Sequence, residues 1–392
     1  MAIQDLAQGN YVHWGAYCSL YTGKTRAYLI NKGIEHVEIN PSHPHYAETI
    51  LPTLGFFSVP VLETPDGEII QDSTEIIEFL EKRHPEPSML PEEKPLQALA
   101  WQIHNYGTDG LFKPAMHYRW NYKESNCDFL IDEFARGFAP PEQRGSPAAR
   151  AQATKFADEM DGYLRLLGVT ETTIPAVEQS AGELFDRLNA HFLLYPYLLG
   201  GRPSIADCGM MTALFAHLGR DPYPSQWMKT RAPALHRWTE TMNRAGVVDP
   251  ELWNVAPEFF TSDSLPETLM AFLRLLCADF GPELKATAAA YHRWLDAVPD
   301  RPSGSVIALD GVKAIRQSLG EIEHQQQRIT ITRTAWVDTL LTHQRVIDIV
   351  DTMNDTERQV YEGILEQAEG DTILSIRLER PVTRSDYAAV LR

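Results

Sequence analysis

The chain has 392 residues, 44% of them apolar and 22% charged, which is beyond one ordinary domain and leaves room for two or three cores. A formal net charge of −18 argues against nucleic acid as a partner, because phosphates call for a basic surface. Cys18, Cys127, Cys208 and Cys277 are too scattered for a disulfide framework or a paired-cysteine metal site, so a reducing compartment is implied and no metal is expected.

The first elements alternate strand and helix. Tyr11-Val12-His13-Trp14 reads as a strand, Thr22 to Lys32 as a helix closed by Gly33, and His36-Val37-Glu38-Ile39 as a second strand. Val61 to Glu63 and Glu68 to Ile70 form a hairpin across Pro65-Asp66-Gly67, and a helix runs from Ser73 to Arg83. Pro85, Pro87, Pro91 and Pro95 then mark a linker, since repeated prolines cannot belong to one helix. From Leu96 the signals are helical, interrupted by a Pro- and Gly-rich loop around Pro140 to Pro147 and resuming at Ala148 to Leu167 and Ala181 to Leu194. Nothing near the N-terminus reads as a signal peptide. The richest apolar run, around Leu269 to Phe280, is broken by Arg274 and Asp279, so a cytoplasmic protein without a membrane span is expected.

Two short stretches carry the functional signal. In Ser58-Val59-Pro60-Val61-Leu62 a proline opens a strand, which would leave the backbone of Val59 free to pair with an extended peptide. In Gln71-Asp72-Ser73-Thr74-Glu75 the spacing of Asp72 and Glu75 is that of a capping box. It would place the Ser73 and Thr74 N–H groups at a positive helix end suited to a carboxylate. A small anionic peptide fits such a pair.

Together with Ser19-Leu20-Tyr21-Thr22 at the start of the first helix, these stretches resemble the N-terminal, thioredoxin-like domain of the glutathione transferase superfamily. Gly200-Gly201-Arg202-Pro203-Ser204-Ile205-Ala206-Asp207 resembles the helix-capping motif of that superfamily's all-α domain. The resemblance implies a thioredoxin-like α/β domain at 1–87, an all-helical substrate domain at 94–260 and a mainly helical C-terminal extension at 265–392 packed on the helical domain. It also implies glutathione as co-substrate, bound through Ser58, Val59, Pro60, Asp72 and Ser73, a small-molecule electrophile and a homodimer. Ser19 falls at the position that activates the thiol, with Cys18 and Tyr21 as alternatives, while Lys24 and Arg26 read as surface charges. The family's long polar residue before the Val-Pro pair is missing, since Ser58 is short.

A free thiol has a pKa near ~8.5, and lowering it by about two units takes roughly 2.7 kcal/mol. A hydrogen bond to the thiolate contributes about 1.5 to 3 kcal/mol and a helix N-terminus about 0.3 to 1, so one hydroxyl at a helix start suffices. The electrophile is expected between the domains against Tyr106, Lys113, Met116, His117 and Trp120, a mixture that suits an apolar aromatic or polycyclic compound. The implied activity is glutathione transfer by conjugation, substitution, ether cleavage or isomerisation. A non-catalytic carrier or scaffold and a Cys18-dependent thiol transferase stand as alternatives. In the extension a helix is read from Pro266 to Val298, another over Trp336 to Val350 and a strand at Thr372 to Leu378, with His324 and Gln325-Gln326-Gln327 on a solvated helix face.

Overall fold

The computed structural model of the chain describes residues 2–244, 251–312 and 316–392. Its N-terminal part contains β1 (Tyr11–Trp14), α1 (Leu20–Lys32), β2 (His36–Ile39), β3 (Val61–Glu63), β4 (Ile69–Gln71) and α2 (Ser73–Arg83). The sheet order is β2-β1-β3-β4, with β1 and β2 parallel and the β3–β4 hairpin antiparallel. This is the thioredoxin-like arrangement read from the sequence. Side chains of β1 alternate between two faces. Val12 and Trp14 join Tyr46, Ile50 and Val61 in a small core, whereas His13 Nε2 lies 2.6 Å from Thr25 Oγ1 on α1.

The helical part follows as α3 (Lys94–Asn105), α4 (Phe112–Trp120), α5 (Lys123–Phe138), α6 (Pro147–Asp161), α7 (Ile174–Phe192), α8 (Ile205–Ala216), α9 (Pro222–Arg231) and α10 (Pro233–Thr241). Helix α8 starts with the expected capping box. The Ser204 amide donates to Asp207 Oδ2 at 2.9 Å, and Asp207 Oδ1 accepts the Leu198 amide at 2.9 Å. A Cβ on Gly209 of α8 would stand 2.4 Å from His104 Cα, so glycine is what lets α8 lie against α3. Helix α1 is sandwiched between the sheet and α8, and this overturns the surface reading of Lys24 and Arg26, which are 0% and 4% exposed. Lys24 Nζ donates to Thr74 Oγ1 at 2.7 Å, and Arg26 Nε reaches Glu38 Oε2 at 2.6 Å.

The extension comprises α11 (Glu267–Asp296), β5 (Ser318–Gln326), β6 (Ile329–Trp336), α12 (Asp338–Asp351), α13 (Asp355–Gln367), β7 (Val382–Ser385) and β8 (Ala388–Leu391). It is mainly helical, with three departures from the sequence reading. Trp336 closes β6 rather than opening a helix. Residues 372–374 fall in a short helical turn, and the late strands come at Val382 and Ala388. His324 and Gln326 lie on a strand, not on a helix face. Both are buried while Gln325 between them is exposed, because a strand turns alternate side chains to opposite sides. No helix among the described residues is long and apolar enough to cross a membrane.

A buried polar cluster fastens the extension to the helical part. Glu283 on α11 contacts Arg333 Nη1 of β6 and lies 3.4 Å from Lys113 Nζ of α4 and 3.5 Å from His324 Nε2 of β5. Burial by itself would raise the Glu283 carboxyl, but Arg333 and Lys113 outweigh it and hold it down to about 2. Its folded pKa is therefore below its unfolded one, and its stabilising contribution is complete above the ordinary carboxylate range and lost as pH falls towards 2. Glu283→Gln should lower the unfolding free energy at neutral pH by about 3–5 kcal/mol, because two buried cations lose their counter-charge. Denaturant unfolding measures this, and the variant should also show a shallower loss of stability between pH ~4.5 and ~2.

Candidate functional site

Two adjoining cavities lie where the N-terminal sheet, the helical part and the extension meet. The smaller is polar and is lined by Pro60, Asp72, Ser73 and Asp109 among others. The larger is mostly apolar. Tyr21, Ser58, Val59 and Arg316 line both and so mark their junction.

On the polar side the Val59–Pro60 peptide is cis. Val59 stands outside the β1–β3 ladder, whose pairs begin at Val61. Ser58 is held by the Tyr46 hydroxyl, which accepts its N–H at 3.1 Å and donates to its carbonyl at 2.5 Å. Asp72 adopts φ 80°, a conformation that residues with a Cβ seldom take and that recurs at ligand sites. Its Oδ1 accepts the amides of Thr74 at 2.8 Å and Glu75 at 3.4 Å. Only half of the expected capping box therefore forms, since Glu75 turns to Arg345 at 2.6 Å. The Thr74 amide is already used, which leaves Ser73 as the first-turn donor facing the cavity. Burial would raise the Asp72 carboxyl, but Arg384 and Lys24 hold it down to about 2.

The thiol-side candidates separate clearly. Ser19 is the N-cap of α1, its Oγ accepting the Thr22 amide at 3.3 Å, so its own proton remains available to donate. It lines the apolar cavity beside Tyr21. Cys18 also lines that cavity but is 6% exposed, and burial pushes its thiol up to about 11. Burial raises the Tyr21 hydroxyl as well, and this group contacts Arg316 Nη2.

Phe112, Met116 and Trp120 recur every fourth residue on α4 and present one face to the apolar cavity, whose far wall includes Phe134, Phe138 and Phe156. Lys113 and His117, expected in this pocket, lie about 100° round the same helix. Lys113 Nζ donates to Gln326 Oε1 at 2.5 Å within the Glu283 cluster. His117 Nε2 is 3.0 Å from Glu178 Oε1. Tyr106 is also displaced, its ring packing on Phe272 and Phe280 of α11. All three are occupied by α7 or the extension, which the sequence reading could not position.

That reading also missed the groups closing the polar cavity. Arg384 Nη2 donates to Asp338 Oδ1 at 2.9 Å and to Asp72 Oδ2 at 3.4 Å. Arg345 joins Glu75 and Glu78, both at 2.6 Å. Arg316 Nη1 lies 3.8 Å from Asp109 Oδ1, and its guanidinium stands 4.4 Å from the centre of the Phe112 ring. Burial pushes the Asp109 carboxyl up to about 7 against the pull of Arg316.

Residues 14–88 match the glutathione S-transferase N-terminal domain family, and residues 171–241 match the glutathione S-transferase C-terminal domain family. No curated protein sequence matches the chain significantly. Among solved structures, the chain is similar to a glutathione transferase from Phanerochaete chrysosporium (16% identity, 61% of this chain and 98% of that one, TM-score 0.42). It is also similar to a beta-etherase from Sphingobium sp. strain SYK-6 (20% identity, 62% and 98%, TM-score 0.37). A third similar structure is a glutathione S-transferase from Methylobacterium radiotolerans in complex with glutathione sulfonate (22% identity, 64% and 96%, TM-score 0.32). With both domain families matched in the order in which the sheet and the helices follow one another, the matched parts of the chain, residues 14–88 and 171–241, belong to the glutathione transferase superfamily.

Proposed function

We propose that the chain is a glutathione transferase that holds glutathione in the polar cavity and attacks an apolar, aromatic electrophile in the adjoining one. The observation that carries this reading is the junction itself. Val59, outside the strand ladder, lines both cavities, while the helix start at Asp72–Ser73 lines the polar one and Ser19 lines the aromatic-walled one beside it. In this reading Val59 pairs with the cysteinyl backbone next to Pro60 and Ser58, and the γ-glutamyl end reaches Asp72 and Ser73. Residues 1–87 bind the peptide, 94–260 supply the electrophile's wall and 265–392 close the site.

Ser19 donates a hydrogen bond from its hydroxyl to the thiolate, keeping its own proton and taking none from the thiol. With the thiol pKa lowered, the proton leaves to solvent and no general base is needed. The sulfur lone pair then forms a bond to an electrophilic carbon, and the leaving group departs with its bonding electrons or, in an addition, the adjacent π pair takes up a proton. Phe112, Met116 and Trp120 exclude water from that carbon, and Phe112 and Trp120 supply aromatic surface to a flat substrate.

Ser19→Ala should raise the thiol pKa of bound glutathione by about 1–2 units, the equivalent of one hydrogen bond to an anion. Thiolate absorbance against pH reads this shift, and an unchanged pKa rules Ser19 out as the activating group. The thiol-transferase alternative requires an ionisable Cys18, whereas burial pushes that thiol up to about 11. A limiting alkylating reagent at neutral pH should therefore label the exposed Cys127 and spare Cys18, as judged by peptide mass. A glutathione mixed disulfide on Cys18 would establish the alternative instead.

A further inference from the structure

The polar cavity keeps hydrogen-bonding capacity of both signs unused. Asp109 is 5% exposed, yet its Oδ2 has no hydrogen-bond partner. The side chain of Arg384 is 8% exposed, and its Nε likewise has none. Asp338 Oδ2, Thr108 Oγ1 and Gln71 Oε1 are also unpartnered, and all five residues line this one cavity. A buried polar group left unsatisfied costs about 1–3 kcal/mol, and such groups are rare in folded proteins unless they serve a ligand or a water. A purely anionic guest would leave the two aspartates unmatched, and a purely cationic one would leave Arg384 and the Ser73 amide unmatched. The set suits a head group that carries an ammonium and a carboxylate on neighbouring atoms.

We propose that the C-terminal extension is itself part of the ligand site: Asp338 with Asp109 takes the α-ammonium, and Arg384 with the Ser73 amide takes the α-carboxylate, of the γ-glutamyl head. This rests on the reading of the cavity as a glutathione site, in which the extension only closes the cavity, and adds direct contact between the extension and the ligand. Asp338 opens α12 and Arg384 lies on β7, so one ligand head touches elements hundreds of residues apart in sequence. The Arg384–Asp338 pair at 2.9 Å sets the two opposite charges side by side. Arg345, tied to Glu75 and Glu78, steadies α12 against α2 without spending Asp338.

The test is calorimetric titration of the full chain with glutathione and with glutaryl-cysteinylglycine, which lacks only the α-amino group. The wild type should bind glutathione roughly tenfold or more tightly than the analogue, the size expected of one charge-assisted hydrogen bond. Asp338→Asn should erase that preference without lowering the analogue's affinity. Arg384→Gln should weaken both ligands by a similar factor, and Arg384→Lys should recover part of the loss. A merely structural role for Asp338 would instead lower both affinities in parallel, and that result overturns the proposal. So does a wild type that binds both ligands equally, a comparison that needs no variant to fold. If the wild type binds neither ligand at millimolar concentration, the glutathione reading itself falls. If it binds glutathione with the expected preference but Asp338→Asn keeps that preference, only the role of the extension falls.

Discussion

The close approach of α3 and α8 is the constraint on which the rest of the molecule depends. Gly209 of α8 meets His104 of α3 and, in the helical turn that continues α3, Gly107, and a Cβ on either glycine would come within 2.5 Å of the opposing backbone. With the two helices in contact, α8 can receive α1 on its other side, where Phe215 sits against Gly23. The far side of α3 remains for α12, anchored by Asn105 Nδ2 donating to the Thr339 carbonyl at 3.0 Å. The strand edge at Val59, the helical wall and the extension thus meet at one place because a single pair of helices spaces them.

A chain with a net charge of −18 repels an anionic ligand at long range, so any affinity for one must be local. Arg316, Arg345 and Arg384 all line the polar cavity and all come from the extension. Each is also matched to a carboxylate, which spreads its charge across the cavity wall instead of presenting an uncompensated cationic patch. The neighbouring cavity has the opposite character, with aromatic rings and few charges, and the two environments meet at Tyr21, Ser58, Val59 and Arg316. In the proposed reaction, the sulfur of glutathione would sit at the boundary between these two environments.

Where candidate groups sit close together in sequence, their local conformation was legible without a structure. The Val59–Pro60 turn, the Asp72 cap, Ser19 at the start of α1 and the Ser204–Asp207 box each rest on contacts within a few residues, and spacing alone encodes these. Legibility failed wherever a residue could choose between partners. Lys24 and Arg26 read as solvated charges because nothing local reveals that α8 covers α1. Lys113 and His117 read as pocket residues because α4 is buried on every side, so its apolar pattern has no preferred face to betray which one borders the cavity.

The sequence by itself determined the thioredoxin-like order of strands and helices, the helix caps, and the placement of a candidate peptide site beside a proline-led strand. Local backbone preferences and short-range hydrogen bonds decide those features, and they are written in adjacent residues. Only the tertiary structure decided that the extension reaches back to that site. Asp72, Asp109, Asp338 and Arg384 come from four separate elements, and no periodicity or spacing links them. Their proximity follows from packing α12 on α3 and the Glu283 cluster on α4, long-range contacts whose geometry exists only once the core has closed.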